Sequence, residues 1–411
     1  MKFIFLVFLV CNGVFLNTTK AQVSGCTDPQ ATNYNLRATI NDGSCKYNPA
    51  SVAPSASLKL TGDLTETSGL IKWNNYIWSF NDSYDINIYA LDSLNGNLIQ
   101  TYPLSGTKNM DWEEISQDEN FVYIGDFGNN ASGNRTDLRI LRVDKNSILA
   151  NSPLTDTISF TYPDQTNFSP TGSNNTDFDC EAFSVTTDSI YLFTKQWVSQ
   201  KTSVYSLPKI AGSYVAKLKS TFDVQGLITG ATYLDSKKLV VLCGYSKSLQ
   251  PFVYLLYDFH GTDYFRGNKR KVEVSLPLHQ VEGIATSNGL KYYISNEKFI
   301  QQPFNIPQKL HILDLSNLLG NYINNLYNSD ETLTQENDLL FPNPAGDFIS
   351  VKTRKISFPA DYLIINQSNQ IVSAGKLRTE NQQINISDLS VGMYVLKIGG
   401  HNNQSFKVIK R

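Results

Sequence analysis

A chain of 411 residues is long enough to bury more than one core, and its formal net charge of -2 gives no electrostatic case for nucleic acid or an anionic membrane. Aromatic residues reach 12%, mostly Tyr and Phe, which suits all-β domains joined by polar turns. Only four histidines occur (His260, His279, His311, His401), so histidine-based metal or triad chemistry has little material.

The chain opens with Lys2, an apolar run from Phe3 to Leu16, and the small residues Thr19 and Ala21. This pattern predicts a signal peptide over residues 1–21, cleaved before Gln22. The run is too short to span a bilayer, and no later apolar segment is long enough. Export through the periplasm follows as an expectation. Residues 22–50 are dense in turn formers and oxygen ligands, and Cys26 and Cys45 enclose them. In an exported chain those cysteines imply a disulfide, which a segment with almost no core needs as a staple. The stretch Cys26-Thr27-Asp28-Pro29 through Asn33-Tyr34-Asn35 to Asn41-Asp42-Gly43-Ser44-Cys45 resembles short modules of secreted Bacteroidota proteins, akin to thrombospondin type 3 calcium-binding repeats. The resemblance implies Ca²⁺ held by Asp28, Asn33, Asn35, Asn41 and Asp42; a stapled spacer without an ion is the alternative.

Residues 55–322 carry an internal repeat, a hairpin recurring five times. The copies open at Ser68-Gly69-Leu70, Glu113-Glu114-Ile115, Glu181-Ala182-Phe183, Gly230-Ala231-Thr232 and Glu282-Gly283-Ile284, and each continues into an aromatic- or apolar-rich second strand and a third. Four strands every roughly 45 to 70 residues predict a β-propeller, with five blades favoured and six left open. Strand Ala56–Leu60 is expected to pair into the last blade and close the ring. The start of each first strand and the end of each second strand then share one rim. That rim collects Glu66, Asp111, Glu113, Asp177, Asp179, Glu181 and Glu282 from first strands, and Asp82, Asp126, Lys195, Asn296 and Glu297 from second strands. Glu113, Asp126, Glu181, Lys195, Glu282, Asn296 and Glu297 are the candidate ligand-binding residues. So many carboxylates repel one another unless a cation neutralises them, and Ca²⁺ is the simplest such cation. Against this, a repeated Glu can merely accept backbone N–H bonds, and Ser68 and Gly230 take its place in two copies.

Asp111-Trp112-Glu113-Glu114 and Gly125-Asp126-Phe127-Gly128-Asn129-Asn130 resemble motifs of an uncharacterised group of secreted propellers, and more loosely the esterase-like phytase and lactonase-like propellers. No nucleophile elbow, zinc helix or phosphate loop is present. Glu113 with Glu181, or Asp126 with Glu297, could act as acid and base on a glycoside. Cys180 and Cys243 fall near adjacent inner strands and read better as buried hydrophobes than as a pair. Trp73, Trp78, Trp112 and Trp197 read mostly as inter-blade core, with Trp112 and Trp197 close enough to the rim to stack on a sugar.

A polar linker is expected over 323–339. Residues 340–411 show short alternating strands with Asn, Gly and Asp turns, the pattern of a small β-sandwich. The Pro342-Asn343-Pro344 entry, the Leu389-Ser390-Val391-Gly392-Met393-Tyr394-Val395-Leu396 motif and the basic last strand resemble the type A sorting domain of the type IX secretion system. That resemblance implies the secretion machinery as partner and the outer cell surface as destination. The leading functional expectation is a secreted propeller that binds an extracellular small molecule or glycan, with Ca²⁺ at an acidic rim. The alternatives are a Ca²⁺-dependent hydrolase of a lactone, phosphate ester or glycoside, and a structural or adhesive module.

Overall fold

The computed structural model of the chain describes residues 22–333, 339–352, 358–368, 370–379, 382–399 and 404–411, so the signal peptide expected over 1–21 lies outside the described residues. Two compact units emerge, within Met1–Ile323 and within Asn324–Arg411.

The N-terminal module of the first unit is closed by the Cys26–Cys45 disulfide. Its core is only Cys26, Ala31 and Cys45 with Tyr47 against them, so cross-linking and local hydrogen bonds have to substitute for apolar burial. Most of the rest of the unit is five consecutive, mainly antiparallel sheets of propeller-like arrangement. Each starts from a buried first strand: Ile71–Trp73, Trp112–Gln117, Asp179–Val185, Leu227–Leu234 and Val281–Thr286. Each then adds three antiparallel strands in order, except that the fifth takes its last strand from the beginning of the domain; the second and fourth also gain an outer parallel strand, Gly212–Val215 and Ser51–Val52 respectively. In the fifth, Ala56–Lys59 pairs antiparallel with Lys309–Asp314, with Ala56 opposite Ile312. First strands lie against one another in succession, and that of the fifth sheet lies against that of the first.

Apolar side chains fill the spaces between consecutive sheets. Trp78, Trp112 and Ile124 pack between the first two, and Leu70, Tyr89, Tyr293 and Leu310 between the fifth and the first. Continuous burial explains why the second strands, such as Leu239–Tyr245, read as aromatic- or apolar-rich runs rather than alternating ones. Trp112 is wholly buried here, so the expectation that it could stack on a sugar fails; Trp73 and Trp78 stack on each other in the same core. Cys180 and Cys243 are buried and unpaired.

A helix over Ser316–Leu333 overlaps the stretch read as linker. Its Asn- and Tyr-rich sequence hides it, but Leu319 and Ile323, with Leu318 and Tyr322 beside them, form one face against the core of the fourth and fifth sheets. Packing of that face overrides weak intrinsic propensity.

The second unit contains two antiparallel sheets, one of Leu339–Phe341, Phe348–Lys352 and Gln383–Asn385, the other of Ile371–Leu377, Ala360–Ile365, Gly392–Ile398 and Gln404–Lys410. Ile349, Val351 and Ile384 of the first share a core with Ile364, Leu396 and Val408 of the second, as the alternating pattern predicts for a sandwich.

Candidate functional site

The feature that builds the site is a β-bulge repeated in the first strands. In the second sheet Asp126 pairs with Trp112 but Gly125 pairs with Glu114, which leaves Glu113 unpaired between them. The same slip leaves out Glu181 in the third sheet, Thr229 in the fourth and Glu282 in the fifth. An extra residue in one strand re-aims its side chain out of the regular alternation. The bulge also corrects the sequence alignment by one position, because Thr229, not Gly230, corresponds to the glutamates. Gly230 packs so tightly that a Cβ there would meet the Glu282 carbonyl at 2.5 Å.

Three of the four bulged residues, Glu113, Glu181 and Glu282, line a cavity of about 190 Å³ together with Glu66, Asp82, Glu297, Lys195, Trp197 and Tyr245, among others, while Thr229 is buried with its hydroxyl on the Val281 carbonyl. Five of the seven candidate ligand-binding residues therefore meet: Glu113, Glu181, Lys195, Glu282 and Glu297. Asp126 is held elsewhere, buried under the guanidinium groups of Arg135 and Arg139 at 3.0 and 2.7 Å. Asn296 is likewise turned away, accepting at 2.8 Å on its Oδ1 from His311 Nε2, while its Nδ2 donates to the carbonyls of Glu297 and Pro307. Tyr245, Gln280, Asn130 and Asn174 line the cavity without having been singled out. Tyr245 had a signal, since it ends a second strand as Lys195 does; the other three sit on loops whose path the sequence does not set.

At the cavity floor, oxygens of Glu113, Asp179 and Glu181 all lie within 4.8 Å of one another, a grouping that could hold a metal ion. Asp179 is the best anchored of the three: Asn129 N–H donates to its Oδ1 at 2.7 Å and Trp197 Nε1 to its Oδ2 at 2.7 Å. The Asp179 carboxylate also lies close to that of Glu181, so the two repel when both are ionised. Lys195 donates to Glu181 Oε2 and lies over the rings of Trp197 and Tyr245, 4.6 and 5.2 Å from their centroids. Glu113 and Glu282 are 6% and 8% exposed, yet among the described residues no donor reaches either carboxylate. Gly128 leaves the room beside Glu113: a Cβ there would stand 2.2 Å from Glu113 Oε1 and 2.3 Å from Asp111 Oδ2.

Burial, followed by mutual repulsion, raises the carboxyl pKa values. Loss of water and then the Asp179 charge push Asp111 up to about 7. Burial pushes Glu282 up to about 8 and Glu297 up to about 7. Glu113 and Glu181 are driven well above the usual range by burial first; repulsion from Glu181, Asp111 and Asp179 then raises Glu113 further, and Lys195 only partly relieves Glu181. Burial works against the Lys195 charge, but Glu181 more than offsets it and holds the ammonium protonated, which is unsuited to a nucleophilic amine.

Burial pushes the neighbouring Glu114 well above the usual range too, but its carboxylate has backbone donors. It is fully buried, and its carboxylate accepts from Ile115 N–H at 3.0 Å and from Ala231 N–H at 2.7 Å across the channel. Below it, the first strands of all five sheets line a second cavity of about 110 Å³. The structural cap foreseen for the repeated glutamate thus belongs to Glu114.

In the N-terminal module the five predicted calcium ligands already serve as turn acceptors. Oδ1 of Asp28, Asn35, Asn41 and Asp42 accepts from the backbone N–H two residues on, and that of Asn33 from Lys46 N–H. Asp28 Oδ2 also accepts from Tyr47 and Tyr257 at 2.8 and 2.6 Å, and Asn41 Nδ2 donates to Asp258, so these side chains dock the module on the fourth sheet.

The middle of the chain thus has a propeller-like all-β fold around an acidic cavity. Residues 339–411 match the family described as the secretion system C-terminal sorting domain, as the C-terminal motifs anticipated. The protein is therefore handled by the type IX secretion machinery and delivered to the cell surface or exterior. Among the described residues no helix is long and apolar enough to cross a membrane. No curated protein matches the chain. Similar solved structures include the WD40 repeats of RRP9 (9% identity, TM-score 0.37, covering 65% of this chain and 99% of that one). Also similar is the extracellular domain of BT4673 from B. thetaiotaomicron, with 11% identity and a TM-score of 0.30, covering 89% of this chain and 60% of that one. A chain of the mitotic checkpoint complex has 11% identity and a TM-score of 0.30, covering 66% and 97%.

Proposed function

We propose that the five sheets are the blades of a closed five-bladed propeller, and that its acidic cavity is an extracellular cation site through which the secreted protein binds its ligand. Ca²⁺ is the cation the donor set suits best, held by Glu113, Asp179 and Glu181. The observation that carries this reading is the pair of unpartnered carboxylates, Glu113 and Glu282, in a cavity where a purely structural acid would have found donors as Glu114 does. Charge supports it as well. Three carboxylates less the Lys195 ammonium leave two negative charges, which a divalent ion balances. An all-oxygen set of irregular geometry favours Ca²⁺ over Mg²⁺, which demands a near-ideal octahedron.

Calorimetric titration of chelator-treated protein with CaCl₂ tests the proposal. One ion per cavity should bind, with a raised melting temperature, and Glu113→Gln should abolish both responses while keeping the fold. Absence of any Glu113-dependent heat overturns the reading. Metal-dependent hydrolysis is a second reading, favoured by Glu282 and Glu297 facing the same cavity with proton affinities near neutrality. It requires turnover that Glu282→Gln removes without loss of Ca²⁺ binding.

A further inference from the structure

One metal ion at Glu113, Asp179 and Glu181 leaves much of the cavity's chemistry unused. The opposite wall carries Glu66, Asp82 and Glu297. Backbone bonds hold these three as neighbours, since Asp82 N–H donates to the Glu66 carbonyl at 3.1 Å and Lys298 N–H to the Thr65 carbonyl at 2.7 Å. Glu282 stands between the two walls, feeling Glu297 and Asp82 on one side and Asp179 on the other.

Several of the protein's own donors at the cavity are already committed. Ser68 Oγ donates to the Glu113 carbonyl, Thr67 shares its hydrogen bond with Ser79, and Gln280 Nε2 donates to the Tyr245 hydroxyl at 3.4 Å. Six carboxylates against one ammonium on this lining favour a ligand that brings donors and positive charge over an anion. The way this cavity holds an ammonium is visible in Lys195, pressed on Glu181 between the faces of Trp197 and Tyr245. Around these residues the chain exposes apolar side chains. Tyr84 (96% exposed) lies two residues from Asp82, Met110 (56%) precedes Asp111, and Val198 (55%) follows Trp197.

We infer that the cavity docks a lysine side chain projecting from a partner polypeptide, its ammonium on Glu66, Asp82 and Glu297 and the apolar residues beside it on Tyr84, Met110 and Val198. Charge complementarity selects the basic side chain, and the exposed apolar residues select a polypeptide over a free amine. This deepens the cation-site reading and rests on it.

Fluorescence anisotropy on the mature protein in CaCl₂ tests the inference, using a labelled pool of pentapeptides with lysine fixed at the centre and a matching pool with norleucine there. The lysine pool should bind at least ~10-fold more tightly, the equivalent of about one charge-assisted hydrogen bond. Glu66→Gln with Glu297→Gln should remove that preference while the calcium heat persists. Tyr84→Ser with Val198→Ser should weaken the peptides but not n-butylammonium, measured as a competitor. Equal binding of the two pools, or no binding by either while calcium still binds, overturns the inference and leaves the metal reading intact. Competition by n-butylammonium as strong as that of the lysine pool overturns the polypeptide partner. Peptide binding without any calcium heat sinks the metal reading instead.

Discussion

The N-terminal module and the acidic cavity are both crowded with side-chain oxygens, and the contrast between them lies in whether those oxygens have donors. In the module every singled-out Asp and Asn accepts a backbone N–H, and Asp28 and Asn41 also bind the fourth sheet. In the cavity Glu113 and Glu282 are as buried as core residues and lack any donor among the described residues. Acid density is therefore a poor guide. What marks the cavity is buried carboxylates that face open space instead of protein donors, where water, a proton or a ligand completes the balance. Glu113 and Glu114 repeat the contrast on adjacent residues, because the bulge sends one into the cavity and the other onto backbone N–H groups.

The largest expected effect would come from breaking the scaffold side of that pair. Glu114→Ala orphans the N–H groups of Ile115 and Ala231 and should cost roughly 3 to 5 kcal/mol in urea unfolding, with two buried donors lost at up to ~3 kcal/mol each. Glu113→Ala, in chelator, should instead leave stability unchanged or raise it. Equal losses from both would erase the distinction. Removing the Cys26–Cys45 disulfide with paired serines should cost about 3 kcal/mol of module stability, read as faster proteolysis before Ser51, with calcium affinity of the cavity unaltered.

pH sharpens the comparison next. Asp111, Glu282 and Glu297 have folded pKa values of about 7, 8 and 7, all raised above their unfolded values. Their protonated forms favour the fold, so this stabilisation is complete below about pH 4 and is lost as pH rises through 7 to 8. The loss is about 1.4 kcal/mol per pH unit for each group that titrates. The melting temperature of metal-free protein should fall from pH 5 to pH 8, and calcium should restore it most at the alkaline end. A flat profile would show that the carboxylates are compensated in some other way. The smallest effect should be that of Lys195→Met, which removes the internal counter-charge and should tighten calcium binding by ~10-fold in calorimetry, about 1.4 kcal/mol.

The sequence by itself determined the delivery of this protein and the repeat from which its middle is built. Pro342-Asn343-Pro344 and the strand pattern after it are local signals, and the pairing of Ala56–Lys59 with the last sheet followed from repeat counting. The acidic rim was legible too, because equal spacing brings the same strand position to one end of every sheet. Tertiary structure alone decided which acids face the cavity. A one-residue bulge is invisible in a propensity pattern, yet it reverses the direction of Glu113 against Glu114 and moves the fourth-sheet position from Gly230 to Thr229. Arg135 and Arg139 lie beyond the strand that bears Asp126, so their claim on that carboxylate exists only in three dimensions. The helix over Ser316–Leu333 was hidden for the same reason, since its apolar face has meaning only against the sheets it covers. Residue type and spacing place groups along a strand, but burial and the location of donors are properties of the packed whole, and those properties divide the site from the scaffold.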